Sequence, residues 1–404
     1  MAPTKQPCTI RLFPVHAAVV LIANQAAVVV ALKTAEVPSK DTRREYYLGS
    51  WAASAAKLDE SILRTLLANR PKLGSSAFTF QYNERNQSCP LCDETGAVRE
   101  KGAGCNYFRD MQALCGQVGL AAGSRFFVQF GDARIRKDHP RSVPVVVKVR
   151  ELPERAGALM PLTYNRHFRA IWPETAAQVP WKEKDDRVLV WRGAPTDLPR
   201  FRRGGSDQLK SRVWMVQRLA AQGQNVRFVP DILYKRVKNE VDPNGTLAGE
   251  AMSRAQIMRS KYVLSLEGND VSTGLKWALA HGSLVVMPHP TRESWLMEGL
   301  LKPYVHYVPL ENPDKVHELL DWLRSHDTEV KKIVANANAW MEQFRPRVET
   351  GDELVADEYV DHVLKFAMRT WSFLHARLGS PSVQKWPKCN ATSASRHPTH
   401  RQKQ

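Results

Sequence analysis

Beyond residue 186 the apolar positions come in short runs between polar turns: Val188–Trp191, Val226–Val229, Tyr262–Leu266, Leu284–Met287 and Val305–Leu310. Runs of that length, bounded by Gly, Pro and charged residues, predict buried strands. Between them the spacing turns helical. Leu209–Ala221 predicts a helix carrying Arg212 and Arg218. Leu275, Trp277, Ala278 and Leu279 predict a second, closed by Gly282, and Glu293–Leu301 a third, ended by Pro303. The polar stretch Val237–Gly249, with Pro243 and Gly245, predicts a loop. Lys315–Leu323, Val330–Phe344 and Leu354–Leu378 predict amphipathic helices that cover the sheet. Strand and helix alternate, which is the pattern of a parallel sheet with helices on its faces. Such sheets bind ligands beyond the carboxyl ends of their strands. Here those ends are Glu267–Thr273, Pro288–Arg292 and the turn after Leu310.

The first half is patterned differently. Residues Phe13–Leu32 are nearly all apolar, interrupted by Pro14, His16, Asn24 and Gln25. Lys5 and Arg11 precede the run, and Lys33, Lys40, Arg43 and Arg44 follow it. The length suits a signal anchor, with a cleaved signal peptide or a buried helix as alternatives; the basic residues after the run do not favour the anchor's orientation. Ser50–Leu67 has helical periodicity, Phe126–Phe130 predicts a strand ending at Gly131-Asp132, and Val143–Val149 predicts another. Four of the six cysteines, Cys89, Cys92, Cys105 and Cys115, form a C-x2-C-x12-C-x9-C cluster without the second close pair of a zinc ribbon. At least one disulfide among them is expected, and Asn86, Asn244 and Asn390 in N-x-S/T sequons point the same way, to a secretory route.

With 404 residues, 43% of them hydrophobic, the chain is long enough for two domains. Its formal net charge of +17 reads plainly as a solvated basic surface, and functionally as a match for an acidic ligand, an anionic membrane face or nucleic acid. The charge is spread over the whole chain and no nucleic-acid module is present, so nucleic acid is not an expected partner.

LSLEGNDVSTGLKW (264–277), KPYVHYVPL (302–310), WLMEGL (295–300), WRGAPT (191–196) and PLTYNRHF (161–168) resemble glycosyltransferase family 90, most closely its bacterial lipopolysaccharide branch. Protein O-glucosyltransferases form another branch. The resemblance implies an α/β, GT-B-like fold, in which two Rossmann-like lobes with parallel sheets hold the ligand cleft between them. With the patterning above, the chain is expected to divide into a tail (1–12), an anchor or signal (13–32), a stem or first helix (33–75), an acceptor-side lobe (76–185), a nucleotide-sugar-binding lobe (186–378) and a disordered basic tail (379–404), the two lobes being what the resemblance implies. The resemblance implies inverting transfer of a sugar from a UDP-type nucleotide donor to a hydroxyl of a glycan or lipid-linked saccharide. The alternatives are a protein O-glucosyl- or O-xylosyltransferase, or a non-catalytic glycan-binding relative. In a eukaryotic cell such a chain would sit in the Golgi or endoplasmic reticulum membrane, with a lumenal catalytic part.

Chemistry of that kind needs a base, cations or amides for the diphosphate, and a nucleoside pocket. FVQFGDAR (127–134) resembles the family's catalytic strand end, making Asp132 the candidate base; Asp138 is its rival, and a turn-capping Asp the plain alternative. Arg192, with Gly193 beside it, is the leading diphosphate contact, because a guanidinium grips phosphate oxygens with two donors. Arg212 is a second cation. Gly268 and Ser272 line the phosphate end at a helix start. Gly274 stands where the glucosyltransferases carry an Arg, which leaves Lys276 to supply charge or Arg192 to act alone. Glu267 and Glu298 are candidate acceptors of ribose or sugar hydroxyls. Arg166 and His167 are assigned to the acceptor side. His306 alternates with Val305 and Tyr307 and is expected to be packed in the sheet. No DxD-type pair ends a strand, Asp185-Asp186 preceding one, so no metal and no cofactor beyond the nucleotide sugar is expected.

Overall fold

The computed structural model describes residues 38–51, 78–81, 103–117, 119–129, 145–160, 171, 179–208, 211–345, 365 and 367–368. All belong to the unit Thr34–Gln404. The apolar stretch 13–32, most of the 50–67 helix, Asp132, Asp138, Arg166, His167, nearly all of 354–378 and the tail 379–404 lie outside them. Among the described residues no helix is long and apolar enough to cross a membrane.

In the first half, α1 (Lys40–Leu48) is capped by Ser39, whose hydroxyl accepts the Thr42 amide at 3.2 Å. After β1 (Phe78–Gln81), α2 (Ala103–Gln117) and β2 (Arg125–Gln129) come three very short strands: β3 (Val146–Val147), β4 (Arg150–Glu151) and β5 (Ala158–Leu159). β1 and β2 pair antiparallel, whereas β2, β3 and β5 run parallel, giving a four-stranded sheet. The 143–149 run is strand over only Val146–Val147, although Val145 to Val149 are all buried. Met111, Leu114 and Cys115 of α2 are buried in the same cluster as Phe126 and Val128. Cys115 is a free thiol there, so a disulfide within the cluster would have to join two of the other three cysteines. Burial pushes its thiol up, which makes it an inert apolar contact. Cys89 and Cys92 lie outside the described residues.

The second half holds a five-stranded, all-parallel sheet of β6 (Val190–Gly193), β7 (Asn225–Phe228), β8 (Tyr262–Leu264), β9 (Leu284–Met287) and β11 (Val308–Pro309), in the order β11-β9-β8-β6-β7. Helices α3 (Arg212–Ala221) and α4 (Ile232–Val241) flank β7, α5 (Thr273–Ala280) joins β8 to β9, and α6 (Val316–Ser325) and α7 (Asp327–Glu342) follow β11. All four β9 residues are buried, as a central parallel strand requires. Fully burying each such side chain is worth about 1.5–3 kcal/mol. The chain leaves β6 for β7 on one side and returns to β8 on the other. The order of connections therefore reverses between β6 and β8.

Two predicted elements are corrected. The expected loop from Val237 begins inside α4. Asp231 caps that helix by accepting the Tyr234 amide at 2.8 Å, and Tyr234, Val237 and Val241 bury one face. The predicted 293–301 helix is instead β10 (Arg292–Glu293), paired antiparallel with β4, followed by a single 3₁₀ turn at Glu298–Leu300. Side chains take the backbone partners a helix would use: the Glu298 carboxylate accepts the Ser294 amide at 2.6 Å, Tyr47 donates to the Trp295 carbonyl at 2.6 Å, and Trp340 to the Leu296 carbonyl at 3.2 Å.

Candidate active site

β8 ends at Leu264, and the chain crosses the carboxyl edge of the sheet as Ser265–Ser272 before entering α5. The crossing is tight. The Gly268 amide donates to the Asp270 carbonyl at 2.9 Å, and a Cβ at Gly268 would be driven into the Thr196 hydroxyl and the Arg212 guanidinium. Arg212 opens α3, behind the cap of Ser211. Its guanidinium donates to the carbonyls of Leu266 (2.7 Å), Glu267 (3.1 Å) and Ala194 (3.1 Å) and to the Thr196 hydroxyl (2.7 Å). It therefore bridges the ends of β6 and β8, 5.5 Å from the centre of the Trp191 ring. Burial lowers its pKa to about 10, against the nearby carboxylates of Asp197, Asp270 and Glu267, so it stays charged at neutral pH.

Two cavities open on either side of this crossing. The smaller, about 310 Å³, lies where the connections reverse, between Trp191–Gly193 and Gly268–Gly274, with Trp277 on its wall. The larger, about 400 Å³, lies beyond β8, β9 and β11, bounded by Leu266, Met287–Arg292, Leu310 and Glu311, with Arg200 at one side. Arg212, Val271 and Ser272 line both. Ser272 is the N-cap of α5 and its side chain makes no capping hydrogen bond, while the Leu275 amide donates to the Ser272 carbonyl at 3.3 Å. A helix start beside a permanent cation favours an anion.

The predicted residues separate into those at the cavities and those turned inward. Gly193, Gly268, Ser272 and Arg212 stand together at the smaller cavity. Arg192 lines it too, but its guanidinium is spent on its own sheet edge. It donates to the carbonyls of Trp191 (2.8 Å), Asn225 (2.9 Å) and Glu250 (3.0 Å) and to the Asn225 amide oxygen (2.8 Å). Glu267 lines the larger cavity while accepting the backbone amides of Thr291 (2.8 Å) and Arg292 (3.1 Å), and so it shapes the loop after β9. Burial raises its pKa against those donors. Lys276 and Glu298 are paired with each other at 3.2 Å, each 2% exposed, so Lys276 is held in the interior rather than at the smaller cavity. Glu298 still borders the larger cavity. The candidates Asp132, Arg166 and His167 lie outside the described residues. Among the described residues no group of three His, Cys, Asp or Glu side chains is placed to hold a metal ion.

The glycosyl transferase family 90 model matches residues 165–355, which contain all five strands of the parallel sheet and both cavities. The O-glucosyltransferase LpsA of Dichelobacter nodosus is 31% identical over 256 residues, covering 60% of this chain and 68% of that protein. The chain belongs to glycosyl transferase family 90. It is a glycosyltransferase. A short match to uncharacterized protein 027R of Frog virus 3 (isolate Goorha) is 34% identical over 93 residues, 22% of this chain and 10% of the viral protein. Within the family 90 region, several lining residues were not legible as site residues in the sequence: Arg200, Asp270, His289, Arg292 and Glu311. The last four follow β8, β9 and β11, where strand ends alone were the signal. Arg200 gave none, because its place depends on the turn at Asp197.

Proposed function

We propose that the chain moves a sugar from a nucleotide donor, a UDP-sugar, to a hydroxyl of a glycan or lipid-linked saccharide, with inversion. The observation that carries this reading is the pair of cavities sharing Arg212 and Ser272 at the β6/β8 reversal. The smaller takes the diphosphate against the α5 amides, with Arg212 behind. The larger takes the nucleoside: Leu266, Val271, Met287 and Leu310 offer apolar surface to a flat ring, and Glu311 offers a carboxylate to ribose hydroxyls. In the reaction, a base takes the acceptor's proton, the acceptor oxygen bonds to the anomeric carbon, and the bond from that carbon to the diphosphate oxygen breaks. The nucleoside diphosphate departs with the electron pair, and fixed amides and cations stabilise it. Asp132 is the base in this reading, on its sequence position alone, and the first half of the chain forms the acceptor-side lobe of a GT-B pair. Protein cations carry the phosphate charge, so no metal is required. The stretch 13–32 as a signal anchor or signal peptide, with the catalytic part in the lumen, belongs to the same reading. Glucose is the first donor sugar to try, given the name of the Dichelobacter protein. Incubation with UDP-, GDP- and CMP-sugars with and without EDTA tests it. Turnover of a UDP-sugar unaffected by EDTA is expected; turnover of none, or only with added metal, contradicts it.

A further inference from the structure

The segment Lys148–Arg150, which links β3 to β4, comes from the first half of the chain, yet it reaches the loops of the second. It carries two cations, each held by a carboxylate of the second half. Lys148, 5% exposed, forms an ion pair with Asp270 at 2.5 Å; Arg150, fully buried, pairs with Glu293 at 2.6 Å. Asp270 belongs to the crossing loop that lines the smaller cavity, and Glu293 follows Arg292, which lines the larger. The cations are themselves fixed. The Lys148 ammonium donates to the buried Tyr107 hydroxyl at 3.2 Å, and the Arg150 guanidinium donates to the carbonyls of Tyr46 (2.6 Å) and Gly157 (3.1 Å). The carboxylate of Glu293 also accepts from the Tyr46 hydroxyl. A carboxylate such as Asp270 in an anion site opposes the ligand unless it is neutralised. Its partner comes from the other half of the chain.

We propose that Lys148 is a positioning residue for the donor: its pair with Asp270 latches the Gly268–Gly274 loop, and with it the start of α5, in the geometry that accepts a nucleoside diphosphate. Arg150 with Glu293 does the same for the loop after β9. Donor affinity therefore depends on a residue outside the donor-binding half. The use of the loop as a diphosphate site rests on the function proposed above.

The test compares the full chain with Lys148→Met, Lys148→Arg and Asp270→Asn. Hydrogen exchange of peptides covering 265–275, measured without ligand, reads the latch itself. Titration with UDP and donor kinetics read its consequence. Exchange in that loop should speed up in Lys148→Met and Asp270→Asn and stay near wild type in Lys148→Arg. UDP affinity should fall about tenfold in the first two, with donor KM rising by the same factor and kcat changing less. Asp270→Asn also guards against a folding defect in Lys148→Met. Unchanged loop exchange, or tighter UDP binding in Asp270→Asn, overturns the proposal. Tighter binding would mean the carboxylate only repels the ligand. A wild-type protein that binds no UDP contradicts the nucleotide reading instead, and the exchange data still decide the latch.

Discussion

Arg192 shows how a side chain can be at the right strand end and still be used otherwise. A sequence places it one residue past a strand, where a guanidinium suits phosphate. The structure turns it along the sheet edge, onto the carbonyls of Trp191, Asn225 and Glu250. Arg192→Ala should therefore lower the melting temperature, by the loss of about 1–3 kcal/mol of charged hydrogen bonds, with little effect on UDP affinity in calorimetry. A stable variant that no longer binds UDP would return the diphosphate to Arg192. His306 gives a second prediction at this scale. It is 1% exposed, its Nδ1 accepts the Lys302 amide at 2.9 Å, and its ring meets Trp340 edge-on at 5.0 Å. Burial lowers its pKa from 6.5 to about 4, with Lys302 adding to the effect. Between those values the unfolded chain holds more protons than the folded one, so stability should fall as pH drops from 6.5 towards 4. Melting curves of His306→Gln across that window should be flatter than wild type; identical slopes would show that another group is responsible.

At the scale of elements, the parallel sheet was legible and its edges were not. The β8, α5 and β9 pattern came through because a buried parallel strand is a continuous apolar run, and because Gly282, at φ 68°, marks the end of α5. The stretch after β9 misled because WLMEGL has helical apolar spacing, while its backbone is held by Tyr47, Trp340 and the Glu298 carboxylate from distant or inward positions. Spacing carries no sign of such partners. The same holds for Lys276: its position in the first turns of α5 suggested a phosphate contact, but its carboxylate partner sits beyond β9. Gly193, Gly268 and Ser272 were legible because a strand end and a helix start locate backbone, and backbone is what they contribute. Arg200 was not, since the turn that places it is set by tertiary contacts, and Asp270 was legible only as part of the stretch after β8.

At the scale of the molecule, one face of the five-stranded sheet is buried with elements of the first half. Val190, Val263, Leu275, Val285 and Trp340 share a continuous buried cluster with Tyr47, Phe126, Val146 and Leu159. The other face is covered by α3, α4, α6 and α7, in a cluster with Val216, Val237, Leu320 and Ile333. The carboxyl edge is left for the ligand, with the Lys148–Asp270 and Arg150–Glu293 pairs tying its loops to the first half. The central claim is that the smaller cavity at the β6/β8 reversal receives the nucleotide's diphosphate. Gly274 allows it to be tested without disturbing the fold. It lies in the first turn of α5 and lines that cavity, and a Cβ there would meet nothing nearer than 3.7 Å. Gly in a helix costs about 0.5–1 kcal/mol relative to Ala, so a side chain at this position does not by itself weaken α5. The most direct measurement is calorimetric titration of wild type and Gly274→Trp with UDP. Wild type should bind UDP, and the variant, folded with a melting temperature close to wild type, should not; undiminished UDP binding by a folded Gly274→Trp would place the diphosphate elsewhere.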